Sequence, residues 1–167
     1  DSSMKVCTLG GNVAENAGGP RCLKYGVTRN YVLGLEVVLA DGSVIRTGGY
    51  VMKNTTGYDF THLFVGSEGT LGVVTKIVLR VMPTPEAKRT MLALFDSLDA
   101  ASQAVSAIIS AGIIPSTLEM LDNLLIRCAE DFVHVGLPTD AAAMLLIEVD
   151  GVGDAVDPQA AAVRKIC

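Results

Sequence analysis

The sequence has no tryptophan and only 5% aromatic residues, so it offers no aromatic platform for stacking sugars or bases. It also lacks an excess of positive charge. Thirteen Lys and Arg stand against 18 Asp and Glu, a formal net charge of −5, and no basic block occurs. Nucleic acid and anionic membrane are therefore poor partners. No apolar run approaches the roughly 20 residues needed to span a bilayer, because Ala104 to Ile114 is interrupted by Ser106, Ser110 and Gly112. The four cysteines, Cys7, Cys22, Cys128 and Cys167, are scattered without CxxC spacing, which disfavours a thiolate metal site or a disulfide scaffold and makes a reducing cytoplasm the default. What is present is aliphatic: half of the 167 residues are hydrophobic, with 17 Gly, enough for a packed α+β interior.

The ends carry an expectation of their own. Asp1 opens the sequence and Met4 is a poor initiator, since a start there leaves almost no chain ahead of Gly10 to form a supporting strand. Asp157 and Pro158 read as N-cap and first residue of a helix that runs to Cys167 without a stop signal. The expectation is an internal piece of a larger protein.

Val32 to Ala40 and Ser43 to Thr47 are β-rich and flank Asp41-Gly42, which predicts a hairpin closed by a two-residue turn with both turn residues at positive φ. Gly72 to Met82 predicts a strand in which Val73, Thr75, Ile77, Leu79 and Val81 share one face. Pro83-Thr84-Pro85 marks a boundary, giving domains at 1–84 and 85–167. Beyond it the pattern is βαβαβα. Arg89 to Phe95 is a strand, and Asp96 or Ser97 caps a helix with Leu98, Ala101, Val105 and Ile108 on one face and Gly112 at its end. Ile113 to Leu118 is a second strand, Leu121, Leu124, Leu125 and Cys128 mark a second amphipathic helix, and Met144 to Val149 is a third strand. No repeat of solenoid spacing occurs.

Two glycine-rich segments suit either ordinary turns or anion cradles. In Gly10 to Gly19 (GGNVAENAGG), small and amide side chains leave consecutive backbone N–H groups open to a bound group. In Gly66 to Gly72 (GSEGTLG), Ser67 and Thr70 add hydroxyls beside the Glu68 carboxylate, which could accept a ribose hydroxyl. The second segment is not a P-loop, having no following Lys-Ser or Lys-Thr; nor is it a Rossmann fingerprint, because a strand follows it. Ser67 does not sit in a GxSxG elbow.

GGNVAENAGG, then CLKYG at Cys22 to Gly26, then NTTGYDFTHLFVGSEGTLGVVT at Asn54 to Thr75, resemble the second half of the FAD-binding domain of the vanillyl-alcohol-oxidase/PCMH flavoproteins. The likeness is to the branch of bacterial glycolate oxidase FAD subunits and D-lactate dehydrogenases, and it continues through GIIPSTLEMLDNLLIRCAEDF and LLIEVDG. It implies an α+β fold: the second half of a PCMH-type FAD domain, then the first part of a βαβαβα substrate or cap domain. By the same resemblance Gly11, Asn12, Glu15, Asn16, Ala17 and Gly18 lie near the flavin and pyrophosphate. Glu68, Gly69, Thr70, Gly72, Val73 and Val74 then approach the adenosine half, largely through backbone. The implied cofactor is noncovalent FAD, whose full site requires an N-terminal segment not in this sequence. The implied activity is hydride transfer from a 2-hydroxy acid, glycolate before D-lactate, of either stereochemistry, to a non-NAD acceptor. An electron-accepting iron–sulfur subunit is an implied partner, in the cytoplasm or peripherally on the inner membrane face. An aldonolactone oxidase of the same superfamily fits the second half less well, and a non-catalytic α+β binding module is the alternative from another class.

No residue of the chain is assigned a catalytic role, and the piece alone is expected to be inactive. His62, among Phe60, Leu63 and Phe64, and His134, before Val135-Gly136, read as packed or surface residues. No HxH or HExxH spacing suggests a metal. Lys53, Tyr58 and Asp59 fall in the flavin-proximal part of the family pattern, though Tyr58 and Asp59 also fit a turn after Gly57. Arg21 and Lys24 could neutralise an anion but read better as solvated surface.

Overall fold

The computed structural model describes residues 5–167, so Asp1 and Met4 lie outside the described residues. The chain forms two units, one comprising the segment up to Gly19 with Gly26–Pro83, the other Pro20–Tyr25 with Thr84–Cys167.

In the first unit, β1 (Val32–Val38), β2 (Val44–Gly48) and β3 (Val73–Leu79) form an antiparallel sheet in the order β2-β1-β3. The hairpin around Asp41-Gly42 forms, with a different turn from the one expected. Leu39 N donates to Ser43 O and Gly42 N to Leu39 O, both at 2.9 Å, and only Gly42 has positive φ (+82°). This is the three-residue connection with a single left-handed residue. Asp41 Oδ1 accepts from Ser43 N and Oγ, bracing the turn in place of a second left-handed residue.

The alternation expected along β3 also fails, for a definable reason. Glu36 lies opposite Lys76 while Val37 lies opposite Val74, so Thr75 is an extra residue, a β-bulge that shifts the phase of the strand. Val74, Ile77 and Leu79 consequently pack on the core, and Val73 and Thr75 are exposed. The strand stops at Leu79, opposite Val32, with Arg80 N bonded to Tyr31 O. The core of this unit gathers Val13, Val32, Leu35, Val37, Phe64 and Val65. Each such aliphatic side chain contributes roughly 1.5–3 kcal/mol by leaving water.

Residues expected as an open loop after Gly10 are helical. In α1 (Leu9–Glu15), Thr8 caps the first turn by accepting from Gly11 N at 3.0 Å, and Asn16 ends the helix in the left-handed conformation at φ 51°. α2 (Cys22–Tyr25) and α3 (Phe60–Phe64) follow in chain order, the former packed in the second unit and the latter in the first.

The second unit has the expected βαβαβα order. It contains β4 (Ala87–Phe95), α4 (Leu98–Ser110), β5 (Thr117–Asp122), α5 (Asn123–Val133), β6 (Ala143–Gly151) and α6 (Gly153–Ile166). The sheet is antiparallel with order β4-β6-β5. Ser97 caps α4 through Ala100 N. Ala143, Leu145, Ile147 and Val149 alternate along β6 and pack with Ala101, Ala104 and Ile108 of α4 and Val156, Ala160 and Val163 of α6.

Two boundaries and one helix face depart from expectation. The second strand begins at Thr117, because Ile113 N bonds to Ile108 O and Gly112 N to Ile109 O, closing α4 with a Schellman motif. Pro115 then has no N–H to give a ladder. The last helix begins at Gly153, whose N–H is held by Glu86 Oε2 at 3.1 Å, so Pro158 lies inside it and Asp157 pairs with Arg89 at 2.8 Å instead of capping. Finally, α5 buries Ile126, while Leu124, Leu125 and Cys128 of the anticipated apolar face are exposed. Asp122 is both the last residue of β5 and the cap of α5, accepting from Leu125 N at 2.8 Å.

Candidate functional site

The first unit fastens its two glycine-rich segments together by backbone. Gly66 N donates to Val13 O and Glu68 N to Ala14 O, both at 2.9 Å, so the 66–70 turn is seated on the last carbonyls of α1. Helix ends leave such carbonyls short of partners, and the turn supplies one to Ala14 O and a second, beside Asn16 N, to Val13 O. The predicted residues Gly11 to Gly18 and Glu68 to Val74 therefore lie in one unit, though they do different things. Asn16 Oδ1 accepts from Arg29 N at 2.8 Å, and Ala17 O accepts from Thr28 N at 3.1 Å and Thr28 Oγ1 at 2.7 Å. Asn12 Nδ2 reaches Cys7 Sγ at 3.5 Å. Thr70 Oγ1, expected to face a ligand, donates to Ser67 O at 2.6 Å and closes the turn. A Cβ on Gly72 would stand 2.7 Å from Val37 Cγ1, so this residue serves the approach of the loop to β1. Val73 is exposed and Val74 packs on the core. Gly11, Glu15, Gly18, Glu68 and Gly69 face outward.

A cavity of ≈ 380 Å³ lies in the same unit, walled by Thr47-Gly48 of β2, the 54–59 segment and His62. Its size falls in the range of small-molecule sites, about 300–1,000 Å³. The predicted segments Gly11 to Gly18 and Glu68 to Val74 do not line it, but they are linked to it. Asp59 Oδ1 caps α3 by accepting from His62 N at 3.1 Å, and its Oδ2 meets His62 Nδ1 at 2.5 Å. His62 Nε2 lies 3.0 Å from Arg29 O, and Arg29 Nη2 donates to Val65 O at 2.9 Å. Hydrogen bonds from the His62 backbone and then its ring hold the Asp59 carboxyl below the usual carboxylate range. A chain of hydrogen bonds thus runs from the cavity wall through the His62 ring and the Arg29 backbone to the Asn16 side chain at the cap of α1. Tyr58 is 89% exposed and meets Phe60 edge-on; Lys53 does not line the cavity.

Whether this unit suits a large cofactor can be tested on its glycines. Gly48, on the cavity wall, is fixed by its own fold: its φ is +64°, and a Cβ would lie 2.0 Å from Leu33 O. Gly10 is different. Its φ is not positive and a Cβ would meet nothing within 4 Å, so neither conformation nor packing requires glycine in this helical turn, where it is less favourable than alanine by roughly 0.5–1 kcal/mol. The open space beside this bare backbone leaves room for a ligand to approach the chain closely. The polar cavity and the open space beside Gly10 are separate features of this unit, and both leave room for a cofactor.

In the second unit, β6 carries two buried acids on the face opposite its aliphatic row. Glu148 pairs with Arg21 at 3.1 Å and Lys88 at 3.2 Å. Asp150, its side chain 2% exposed, pairs with Lys24 at 2.5 Å and accepts from Tyr25 Oη at 2.9 and 2.8 Å. Burial pushes the Asp150 carboxyl up, but the Lys24 ammonium and Tyr25 hydroxyl outweigh it and leave the carboxyl below its ordinary value. Arg21 and Lys24 are therefore ion-paired, not simply solvated. His134 ends α5 at φ 55°, and no cluster of metal-ligating side chains occurs among the described residues.

These features define an α+β protein of two units, and its fold has solved counterparts. The structure superposes on alkyldihydroxyacetonephosphate synthase with a TM-score of 0.80, covering 99% of this chain and 32% of that one at 24% identity. The chain belongs to the FAD-linked oxidase family: residues 84–167 match the model of the FAD linked oxidases, C-terminal domain, and residues 2–58 match the FAD binding domain. The resemblance read from the sequence is thereby borne out, and FAD is the family's cofactor. The chain is 57% identical over 166 residues to the glycolate oxidase subunit GlcD of Bacillus subtilis and 49% identical over 165 residues to that of Escherichia coli K12. It is 42% identical over 126 residues to a D-lactate dehydrogenase of Archaeoglobus fulgidus. The match covers 99% of this chain but only 35% and 33% of the two glycolate oxidase subunits, so the chain spans about a third of their length.

Proposed function

We propose that the protein to which this chain belongs is an FAD-dependent 2-hydroxyacid dehydrogenase acting on glycolate. The observation that carries this reading is the 57% identity to a glycolate oxidase subunit, sustained through both units. Residues 1–84 then belong to the FAD-binding domain and 85–167 to the substrate or cap domain. When bound, FAD supplies the hydride acceptor for the substrate α-carbon. This chain's part is to hold it: the backbone of Gly11 to Gly18 and of Glu68 to Val74 lies along the cofactor, with Asn16 fixed by Arg29 and Glu68 open to a ribose hydroxyl. Attachment is noncovalent, because neither glycine-rich segment contains His or Cys. The catalytic base is not assigned to any residue here.

The word subunit in the names of the glycolate oxidase relatives supports a multi-subunit assembly, and the reading adds an electron-accepting iron–sulfur partner. Cytoplasmic placement, on or beside the inner membrane face, rests on the scattered cysteines; no helix among the described residues is long and apolar enough to cross a membrane. D-Lactate is the second substrate, favoured by the 42% identity to a D-lactate dehydrogenase. Steady-state assays with an artificial electron-accepting dye test the order: kcat/KM is expected to be higher for glycolate. A higher value for D-lactate would reverse it, and no turnover of either acid would reject the reading.

A further inference from the structure

One residue binds three segments of the first unit. Arg29 lies in the short helical turn Thr28–Tyr31, just before β1. Its backbone N donates to Asn16 Oδ1 at 2.8 Å, its carbonyl lies 3.0 Å from His62 Nε2, and its guanidinium donates through Nη2 to Val65 O at 2.9 Å. Thr28 beside it holds Ala17 O through both N and Oγ1. The turn at 28–29 therefore grips the chain where it leaves α1, and the Arg29 side chain grips the residue just ahead of the second glycine-rich segment. The two segments come close at Gly66, where a Cβ would stand 3.2 Å from Asn16 Cβ and 4.0 Å from Arg29 Nη2. All of these residues belong to the same unit.

We propose that Arg29, seated by His62, is a positioning residue for FAD that sets Asn16 to Gly18 at a fixed separation from Glu68 to Val74. This rests on the FAD reading above, which lays both segments along the cofactor. Two backbone bonds already tie the 66–70 turn to the Val13 and Ala14 carbonyls, but they act on α1 ahead of its cap. Past the cap the chain turns off the helix at the left-handed Asn16, and Asn16 Oδ1 and Ala17 O are both bound to residues 28 and 29. The guanidinium is what fastens those residues to Val65. Its bond is charge-assisted, and Val65 is 1% exposed, so the carbonyl has little water to turn to when the guanidinium is gone. A dinucleotide spans both segments, so looseness between them lowers the effective concentration of the second contact once the first is made.

The test uses the full gene product, with FAD affinity and release rate read by flavin fluorescence. Arg29→Met leaves both backbone bonds of this residue in place and removes only the hold on Val65. It is expected to raise the Kd for FAD by about fivefold, mainly through faster release. Arg29→Lys is expected to recover most of the loss, since Val65 O takes a single N–H donor and no bidentate fork is needed. His62→Leu, which frees the Arg29 carbonyl, is expected to raise the Kd by about threefold, and it decides the matter if Arg29→Met fails to fold. Leu35→Val serves as control: Leu35 is a core residue of the same unit, on β1 between Thr47 and Ile77, and its truncation lowers thermal stability while leaving FAD affinity unchanged. Unchanged FAD affinity in a folded Arg29→Met or His62→Leu protein overturns the proposal alone, as does Leu35→Val weakening FAD equally. A wild-type protein that takes up no FAD overturns the cofactor reading and this proposal together.

Discussion

The substitution Gly10→Ala should stabilise the apoprotein and weaken its hold on FAD. Gly10 is the second residue of α1, at ordinary helical φ, and an added Cβ would have no heavy atom within 4 Å. The methyl group therefore meets no obstacle, and alanine is preferred over glycine in a helix by roughly 0.5–1 kcal/mol, the lower figure suiting a first turn. For a domain of this size that amounts to an upward shift of about 2–6 °C in melting temperature. If FAD runs along this segment as proposed, the same methyl would stand in its way, so FAD affinity should fall by about tenfold or more. Thermal melting of the apoprotein and FAD titration of the same preparation measure the two effects. Higher stability with undiminished FAD affinity would refute the placement of FAD along this segment. Lower stability would refute the helical placement itself.

Further expectations concern the framework. Gly48→Ala should destabilise the first unit by about 3 kcal/mol or more, since positive φ and a Cβ 2.0 Å from Leu33 O both oppose it; a urea midpoint equal to wild type would contradict this. Asp150, whose folded carboxyl lies below its ordinary value, contributes stability that is complete above the unfolded pKa of about 3.9 and is lost as pH falls through the lower folded value. Melting temperatures of wild type between pH 6 and pH 3 should accordingly fall more steeply than those of Asp150→Asn, and parallel curves would dismiss the Lys24 pair as a source of acid sensitivity.

Much of the fold was legible because local signals agreed with tertiary outcome. Ser97, Gly112 and the aliphatic alternation of β6 were readable where they stood. The failures have specific causes. A bulge at Thr75 changes the phase of β3, which a strict two-residue period cannot anticipate. Pro158 suggested a helix start, but the carboxylate of Glu86, 67 residues away in sequence, holds Gly153 N and starts the helix earlier. The pairing of Lys24 with Asp150 spans 126 positions, so no local pattern could distinguish a buried counter-ion from a solvated lysine. For the candidate site, the two glycine-rich segments were visible, whereas their joining through Val13 and Ala14 carbonyls and the Asp59–His62–Arg29–Asn16 linkage were not. Asp59 three residues before His62 was the one legible trace, as an N-cap spacing.

The central claim is tested most directly by adding glycolate to the oxygen-free full gene product while following the visible absorbance of its flavin. The account predicts a protein with stoichiometric FAD that bleaches on addition of glycolate and regains its colour when an electron acceptor is supplied. A yellow protein that glycolate leaves oxidised would contradict the assigned substrate, and a colourless one that cannot be loaded with FAD would contradict the cofactor role of its glycine-rich segments.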